Sequence, residues 1–172
     1  MNIRLPLCLS FAAVALSGCG QKDSASATAA APAPVAAAAP AAAAVAAPRV
    51  IEISANDTMK FSVTAIEAKA GETIKIVLTN NGTLPKEAMG HNLIILKPGS
   101  DSAAFSAAAM TAKATDYVPD SLKDQVVGHT ALLGPRKSDE IILKDLKAGE
   151  YPFLCSFPAH FAVGMKGVLT VK

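Results

Sequence analysis

The chain of 172 residues has few aromatic side chains, few cysteines and little unbalanced charge. It contains no tryptophan and three cysteines, and its formal net charge is +2. The sequence has no basic stripe and no acidic block, which argues against nucleic acid as a partner. The apolar stretch from residue 5 to residue 16 has twelve residues, too few to span a bilayer as a helix.

The N-terminus is typical of an exported bacterial protein. Arg4 precedes the apolar stretch, and Leu16-Ser17-Gly18-Cys19 resembles the lipobox of bacterial lipoproteins. We therefore predict a lipoprotein signal peptide at residues 1–18 and a lipid on Cys19 that anchors the chain to a bilayer. Cleavage by the general signal peptidase, or an uncleaved anchor, is the alternative. Gly20 follows the cysteine, and the sorting preference of lipoproteins then favours the outer membrane, facing the periplasm.

This processing leaves Cys155 as the only free thiol, because Cys8 is removed with the signal peptide and Cys19 is acylated. The mature chain then cannot form an intramolecular disulfide. A lone thiol in an oxidising compartment is safest when it is buried or bound to a metal.

Residues 19–48 are predicted to form a tether that carries the lipidated cysteine at its start. Most of this segment is Ala and Pro. The prolines interrupt the helix that polyalanine favours, and the segment can bury very little, so we expect it to be disordered or extended. Residues 49–172 have the length of one domain. Because Arg4, Lys22 and Asp23 lie outside this domain, its net charge is +1, and we expect a monomer.

The domain is predicted to be a β-sandwich, since short apolar stretches with period-two alternation are separated by turn residues. The predicted strands are 50–54, 59–66, 73–79, 91–96, 140–143, 150–155 and 167–172. The Ala-rich segment 102–115 is predicted to be a helical flap inserted between strands. Residues 116–136 are expected to be mostly irregular.

The most informative segment is residues 155–165, where Cys155, His160 and Met165 lie within eleven residues. A turn between the last two strands brings these side chains together, and His91 comes from a distant strand. Two imidazoles, a thiolate and a weak axial thioether form a copper site that holds either oxidation state. Each residue has a structural alternative as a core side chain. Their combination favours a metal site, one copper per chain, in an electron carrier.

Other segments give the domain a resemblance to the cupredoxins of the azurin and auracyanin group, preceded by a lipoprotein signal as in lipid-modified azurins. The segments that carry this resemblance are 56–61, 82–86, 89–93, 115–117, 129–134 and 155–160. The resemblance implies an all-β, Greek-key β-sandwich with a short helical flap insertion and a blue, type 1, copper site.

The same resemblance assigns roles to the site residues. It implies that His91, Cys155 and His160 are equatorial copper ligands, that Met165 is the axial ligand, and that the Gly90 carbonyl is a weak, distant contact. Asn92 is expected to link the two ligand segments through hydrogen bonds to Ser156, which fix the ligands and tune the thiolate. Its alternative role is to cap the end of a strand.

The sequence also differs from azurins at several positions. Four residues, 161–164, separate the loop histidine from the methionine, where azurins have three. This spacing resembles the arrangement in auracyanin and plastocyanin. Leu93 is expected to replace the core tryptophan of azurins, and His129 is expected to be exposed.

The resemblance further implies that electrons leave through the edge of His160, inside an apolar docking patch. The candidate patch residues are Met59, Leu84, Met89, Phe157, Pro158, Ala159 and Phe161. A patch of this kind suits weak docking to redox proteins such as c-type cytochromes or terminal oxidases and reductases. The predicted location is the cell envelope of a bacterium.

Three other functions compete with electron transport. A lipoprotein that stores or delivers copper uses the same ligands, so the sequence leaves it open. An enzyme is disfavoured, because no Asp or Asn follows His160 in an orienting position and four ligands leave no open site for substrate. A cupredoxin without metal is disfavoured by the presence of all four ligand residues.

Overall fold

Two β-sheets face each other in the computed structural model, which describes residues 47–172. The predicted signal peptide, the lipidation site Cys19 and the predicted tether as far as residue 46 lie outside the described residues. Among residues 47–172, no helix is long and apolar enough to cross a membrane.

The described part of the chain contains eight strands and two short α-helices. The strands are β1 (Arg49–Ala55), β2 (Ala65–Ala68), β3 (Ile74–Asn80), β4 (Ile94–Leu96), β5 (Val126–His129), β6 (Ser138–Leu143), β7 (Gly149–Leu154) and β8 (Lys166–Val171). The helices are α1 (Lys86–Met89) and α2 (Ser102–Ala109), and short 3₁₀ turns span Lys113–Thr115 and Asp120–Gln125.

The strands form one sheet of three and one of five. The first sheet has the order β1-β3-β6, and the second has the order β2-β8-β7-β4-β5. β1 is parallel to β3 and β2 is parallel to β8, while the other neighbours are antiparallel. The prediction of an all-β sandwich is therefore confirmed.

The core lies between the sheets, and the alternation along β3 shows how the sequence builds it. Ile74, Ile76 and Leu78 are fully buried, whereas the residues between them are only partly buried. This is the pattern of a strand with one face turned to the core. The rings of Phe61 and Phe153 meet across this core with centroids 5.8 Å apart.

The helical flap predicted at 102–115 is present as α2 and the 3₁₀ turn that follows it. Asp101 caps α2 by accepting hydrogen bonds from the amides of Ala103 and Ala104, which satisfies donors at the start of the helix. Phe105 packs in a second apolar cluster with residues of β4 and β7. The flap therefore covers the outer face of the five-stranded sheet.

The strand predicted at 59–66 is wrong. Met59 has a φ of 56°, because the chain turns there, with the Met59 amide bonded to the Asn56 carbonyl. Phe61 makes a single bridge to Ala55, and β2 begins only at Ala65. The polar turn at residues 56–59 thus breaks the strand pairing that the alternation of residues 59–66 predicts.

Two further predictions need correction. In the segment predicted as the strand 91–96, regular pairing starts at Ile94, and His91 makes only an isolated bridge to Leu133. The segment 116–136, expected to be irregular, contains the 3₁₀ turn Asp120–Gln125 and β5. β5 is short and only partly buried, so its alternation is weak in the sequence.

Replacing Leu78 by Ala should lower the free energy of unfolding of the apo protein by about 2–5 kcal/mol, because it leaves a cavity between the sheets. Val77 on the opposite face of β3 is the matched control, and its change to Ala should cost about 1 kcal/mol or less. Urea unfolding followed by circular dichroism measures both. Equal losses for the two variants would contradict the core assigned here.

Candidate metal centre

His91 is held at one end of the sandwich by its own backbone. It lies between α1 and β4, where its amide donates to the Leu133 carbonyl at 3.1 Å and its carbonyl accepts from the Leu133 amide at 2.8 Å. Gly90 precedes it in a crowded position, since a Cβ there would lie 2.7 Å from the Lys86 carbonyl oxygen. Close approach of the backbone therefore requires glycine at this position.

The segment from Cys155 to Met165, the ligand loop, joins the end of β7 to the start of β8. Its ends are tied together, because the Cys155 amide donates to the Met165 carbonyl at 3.1 Å. The Met165 amide donates in turn to the His160 carbonyl at 3.0 Å. Gly164 has a φ of 93°, a conformation that favours glycine. These bonds bring Cys155, His160 and Met165 around one point.

His91, Cys155 and His160 form a buried cluster whose donor atoms all lie within 4.8 Å of one another. The Cys155 Sγ is 3.4 Å from the Nδ1 of His160. Among the described residues, neither ring nitrogen of His91 has a hydrogen-bond partner, although such buried atoms are nearly always paired. A metal ion bound by the imidazole would satisfy one of these nitrogens, so the residues present fit the implied copper.

Burial also sets the protonation of the three side chains. It raises the pKa of the Cys155 thiol to about 12, against the smaller opposing effect of the Asn92 and Phe157 amides. Desolvation lowers the pKa of His160 to about 4, with a further lowering by His91, and desolvation also lowers the pKa of His91. Both imidazoles are thus neutral at pH 7, the form that binds metals, whereas the thiol must lose its proton to become a ligand.

Asn92 connects the two segments that carry the cluster. Its Oδ1 accepts a hydrogen bond from the Ser156 amide at 2.9 Å. Its Nδ2 donates to the Ser156 hydroxyl at 2.9 Å and to the Asp116 carbonyl at 3.0 Å. Asn92 and Ser156 are both buried, so these bonds fix the spacing between the residues that follow His91 and Cys155.

Met165 and Gly90, expected from the sequence as axial contacts, both lie in buried positions beside the cluster. The Met165 side chain is fully buried, and its backbone is bonded to both Cys155 and His160. Gly90 is buried next to His91. Their roles as ligands stay predictions.

The seven residues of the predicted docking patch differ in exposure. Leu84 is 43% exposed, Ala159 is exposed, and the other members except Phe157 are partly exposed. Phe157 is buried, with its ring 5.1 Å from that of Tyr117 and 4.7 Å from that of His160. Phe157 therefore packs against the imidazole of His160 and contributes almost nothing to the exposed surface of the patch.

Some residues at the site were missed from the sequence. Val163, in the ligand loop, is 45% exposed, and its apolar character inside a metal-binding loop was the available signal. Asp57 accepts hydrogen bonds from the amide and hydroxyl of Thr83 at 2.9 Å, which lowers the pKa of its carboxyl group. This contact fixes the backbone next to Leu84. His129 is exposed, as expected.

A β-sandwich with two histidines and a cysteine gathered at one end has the fold and site of a cupredoxin. Residues 48–172 match the family described as "Copper binding proteins, plastocyanin/azurin family". The chain belongs to this family.

Individual relatives agree with this assignment. The chain is 36% identical over 126 residues to an azurin of Pseudomonas denitrificans, covering 71% of this chain and 97% of that protein. It is 39% identical over 123 residues to the outer membrane protein H.8 of Neisseria meningitidis, covering 69% of this chain and 65% of that protein. A crystal structure of reduced auracyanin from Roseiflexus castenholzii superposes with a TM-score of 0.65 at 33% identity, covering 73% of this chain and 98% of that one.

These findings confirm the resemblance to the azurin and auracyanin group and copper as the cofactor. Cupredoxins of the azurin family are electron carriers and not enzymes, and this chain has their histidine and cysteine cluster.

Replacing Asn92 by Ala should lower the free energy of unfolding of the apo protein by about 2–4 kcal/mol, because it leaves the buried amide and hydroxyl of Ser156 and the part-buried carbonyl of Asp116 without their partner. Asn81, whose side chain is exposed, is the matched control, and its change to Ala should alter stability by at most about 0.5 kcal/mol. Urea unfolding measures both. An Asn92 variant as stable as the Asn81 variant would show that the link contributes nothing.

Proposed function

We propose that this protein is a membrane-tethered carrier of single electrons, which binds copper through His91, Cys155 and His160. Met165 is the proposed axial ligand and the Gly90 carbonyl a weak contact. The observation that carries the proposal is the buried cluster, in which the donor atoms of His91, Cys155 and His160 all lie within 4.8 Å of one another. Bound copper supplies a centre that cycles between Cu(I) and Cu(II).

The residues around the cluster suit electron transfer because they hold the ligands in one arrangement. His91 is fixed by its backbone bridge to Leu133, and Cys155 is fixed by the hydrogen bond that its amide donates to the Met165 carbonyl. Asn92 ties the two segments together. Ligands that stay in place when the charge of the metal changes keep the reorganisation small, and their burial excludes water from the site.

The proposed route for electrons is the edge of His160, which is 2% exposed. The partly exposed Pro158 and Phe161 and the exposed Ala159 flank it in the loop. Met59, Leu84 and Met89 complete the proposed patch, without the buried Phe157. An apolar patch suits brief docking of a redox partner over a small buried area. Because the domain is nearly neutral, electrostatic steering of that partner should matter less. The proposed partners are c-type cytochromes or terminal oxidases and reductases.

The proposed location is the cell envelope, with the lipid on Cys19 in the outer membrane. The sequence motif at residues 16–19 supports this, as does the similarity to a protein named outer membrane protein H.8. If the segment from Gly20 to Arg49 is coiled, it reaches roughly 30 Å, and fully extended it reaches about 90 Å. That range allows a tethered domain to visit several partners near one membrane.

Storage or delivery of copper uses the same ligands, but the burial of the cluster argues against it. Transfer of a metal ion to an acceptor requires the acceptor's ligands to reach the ion. Cys155 and His91 are fully buried, so the fold would have to open before copper could leave.

Titration of the apo protein with Cu(II) tests the metal site. In a background with Cys8 and Cys19 changed to Ser, one equivalent should produce an intense thiolate-to-copper band and a narrow copper hyperfine splitting in the EPR spectrum. The further change Cys155→Ser should abolish the band and leave the circular dichroism of the apo protein unchanged. A strong band that persists without Cys155 would refute the ligand assignment. A colourless product from the background protein that keeps Cys155, with ordinary Cu(II) hyperfine structure, would favour storage or delivery.

Changing Cys19 to Ser tests the tether. In a bacterium that processes lipoproteins, the wild-type chain should fractionate with membranes and carry acyl groups detectable by mass spectrometry. The Cys19→Ser variant should carry no acyl groups, because the residue that accepts them is missing. The control is Cys8→Ser, within the predicted signal peptide, which should leave acylation and membrane association intact. A wild-type chain without acyl groups, or a Cys19→Ser variant that still carries them, would contradict lipid anchoring at Cys19.

A further inference from the structure

Besides the link between Asn92 and Ser156, the ligand loop makes a second side-chain hydrogen bond with a distant part of the chain. The ammonium group of Lys60 donates a hydrogen bond to the carbonyl of Val163. No backbone amide of the described residues donates to this carbonyl. Val163 lies two residues before Met165, within the four residues that separate Met165 from His160.

The backbone hydrogen bonds of the ligand loop do not include the Val163 carbonyl. The Val163 amide donates to the Ala159 carbonyl at 3.2 Å, and the Gly164 amide donates to the Phe161 carbonyl at 3.0 Å. These turns fix the amides of the loop, while the outward carbonyl of Val163 depends on Lys60. A Cβ on Gly164 would lie 3.1 Å from the Lys60 Nζ, so the ammonium packs directly against the turn.

Lys60 itself projects from a well-ordered turn. Asn56 accepts hydrogen bonds from the amides of Thr58, through its side chain, and of Met59, through its backbone. Asp57 binds Thr83, which ties the turn to the segment before α1. Lys60 therefore reaches the ligand loop from a backbone that is fixed on both sides.

The ammonium has no competing partner among the described residues. No carboxylate of residues 47–172 lies within ion-pair distance of Lys60. A charged donor to a neutral carbonyl makes a stronger hydrogen bond than an uncharged one. The Val163 carbonyl is its only hydrogen-bond acceptor in the described chain.

We propose that Lys60 is a positioning residue that clamps the ligand loop and thereby holds His160 and Met165 in place for copper. The proposal rests on the proposed role of these two residues as ligands. The clamp acts on the four residues between His160 and Met165, and so restrains a turn that would otherwise have more freedom.

The test compares three variants of the complete chain. Lys60→Met removes the donor and keeps the length of the side chain, and Lys60→Arg restores a charged donor. Lys166→Met is the matched control, because the Lys166 Nζ also contacts the loop, 4.6 Å from the centre of the Phe161 ring, but makes no hydrogen bond to its carbonyls. Hydrogen-exchange mass spectrometry of the apo proteins reports the loop without copper.

In the Lys60→Met apo protein, amides 163–165 should exchange about three- to tenfold faster than in the wild type, the size expected for one lost hydrogen bond. The copper-loaded variant should lose Cu(II) to EDTA faster by a similar factor. Lys60→Arg should behave as the wild type in both measurements, and Lys166→Met should not accelerate exchange.

Loop exchange in Lys60→Met at the wild-type rate would overturn the proposal, as would equal copper loss in Lys60→Met and Lys166→Met. Failure of the proposed function gives a different result. In that case the wild-type protein shows no type 1 copper spectrum, while exchange in the apo proteins still decides whether Lys60 holds the loop.

Discussion

Burial of three donor side chains at one end of the sandwich is the constraint on which the rest of the site depends. His91, Cys155 and His160 are between 0 and 2% exposed, and the ring of His91 has no hydrogen-bond partner among the described residues. Each buried polar group without a partner costs on the order of 1–3 kcal/mol. The apolar core offsets this cost, and a metal ion recovers part of it. The fold can therefore hold a site whose imidazoles stay unprotonated and free to bind a metal ion.

The same constraint explains the arrangement of the surrounding polar contacts. The two segments that carry the donors are distant in sequence, and they must meet within a few ångströms without water to fill gaps between them. Asn92 and Ser156 fix the distance between these segments, and the bridge to Leu133 holds the backbone of His91. Because these contacts do not involve the donor atoms, they persist whatever the charge on the metal. The electron-carrying function follows from this independence.

Much of the site could be predicted from the sequence, because the donors have unusual chemistry and characteristic spacing. Cys155 and His160 lie in one loop, and His91 is one of three histidines in the chain. Which residues of the ligand loop are buried was harder to predict. Phe157 is as apolar as the more exposed residues of the loop, and only the fold places its side chain in the core. The contact of Lys60 with the loop spans 103 residues, and no local pattern encodes it.

X-ray absorption at the copper edge, on the same protein in the Cu(I) and Cu(II) states, tests the central claim most directly. A site held by its protein frame should show two nitrogen ligands and one sulfur ligand in both states, with only small changes in their distances. Loss or gain of a ligand on reduction would mean that the metal rearranges its surroundings. That result would contradict a rigid electron carrier built on the buried cluster.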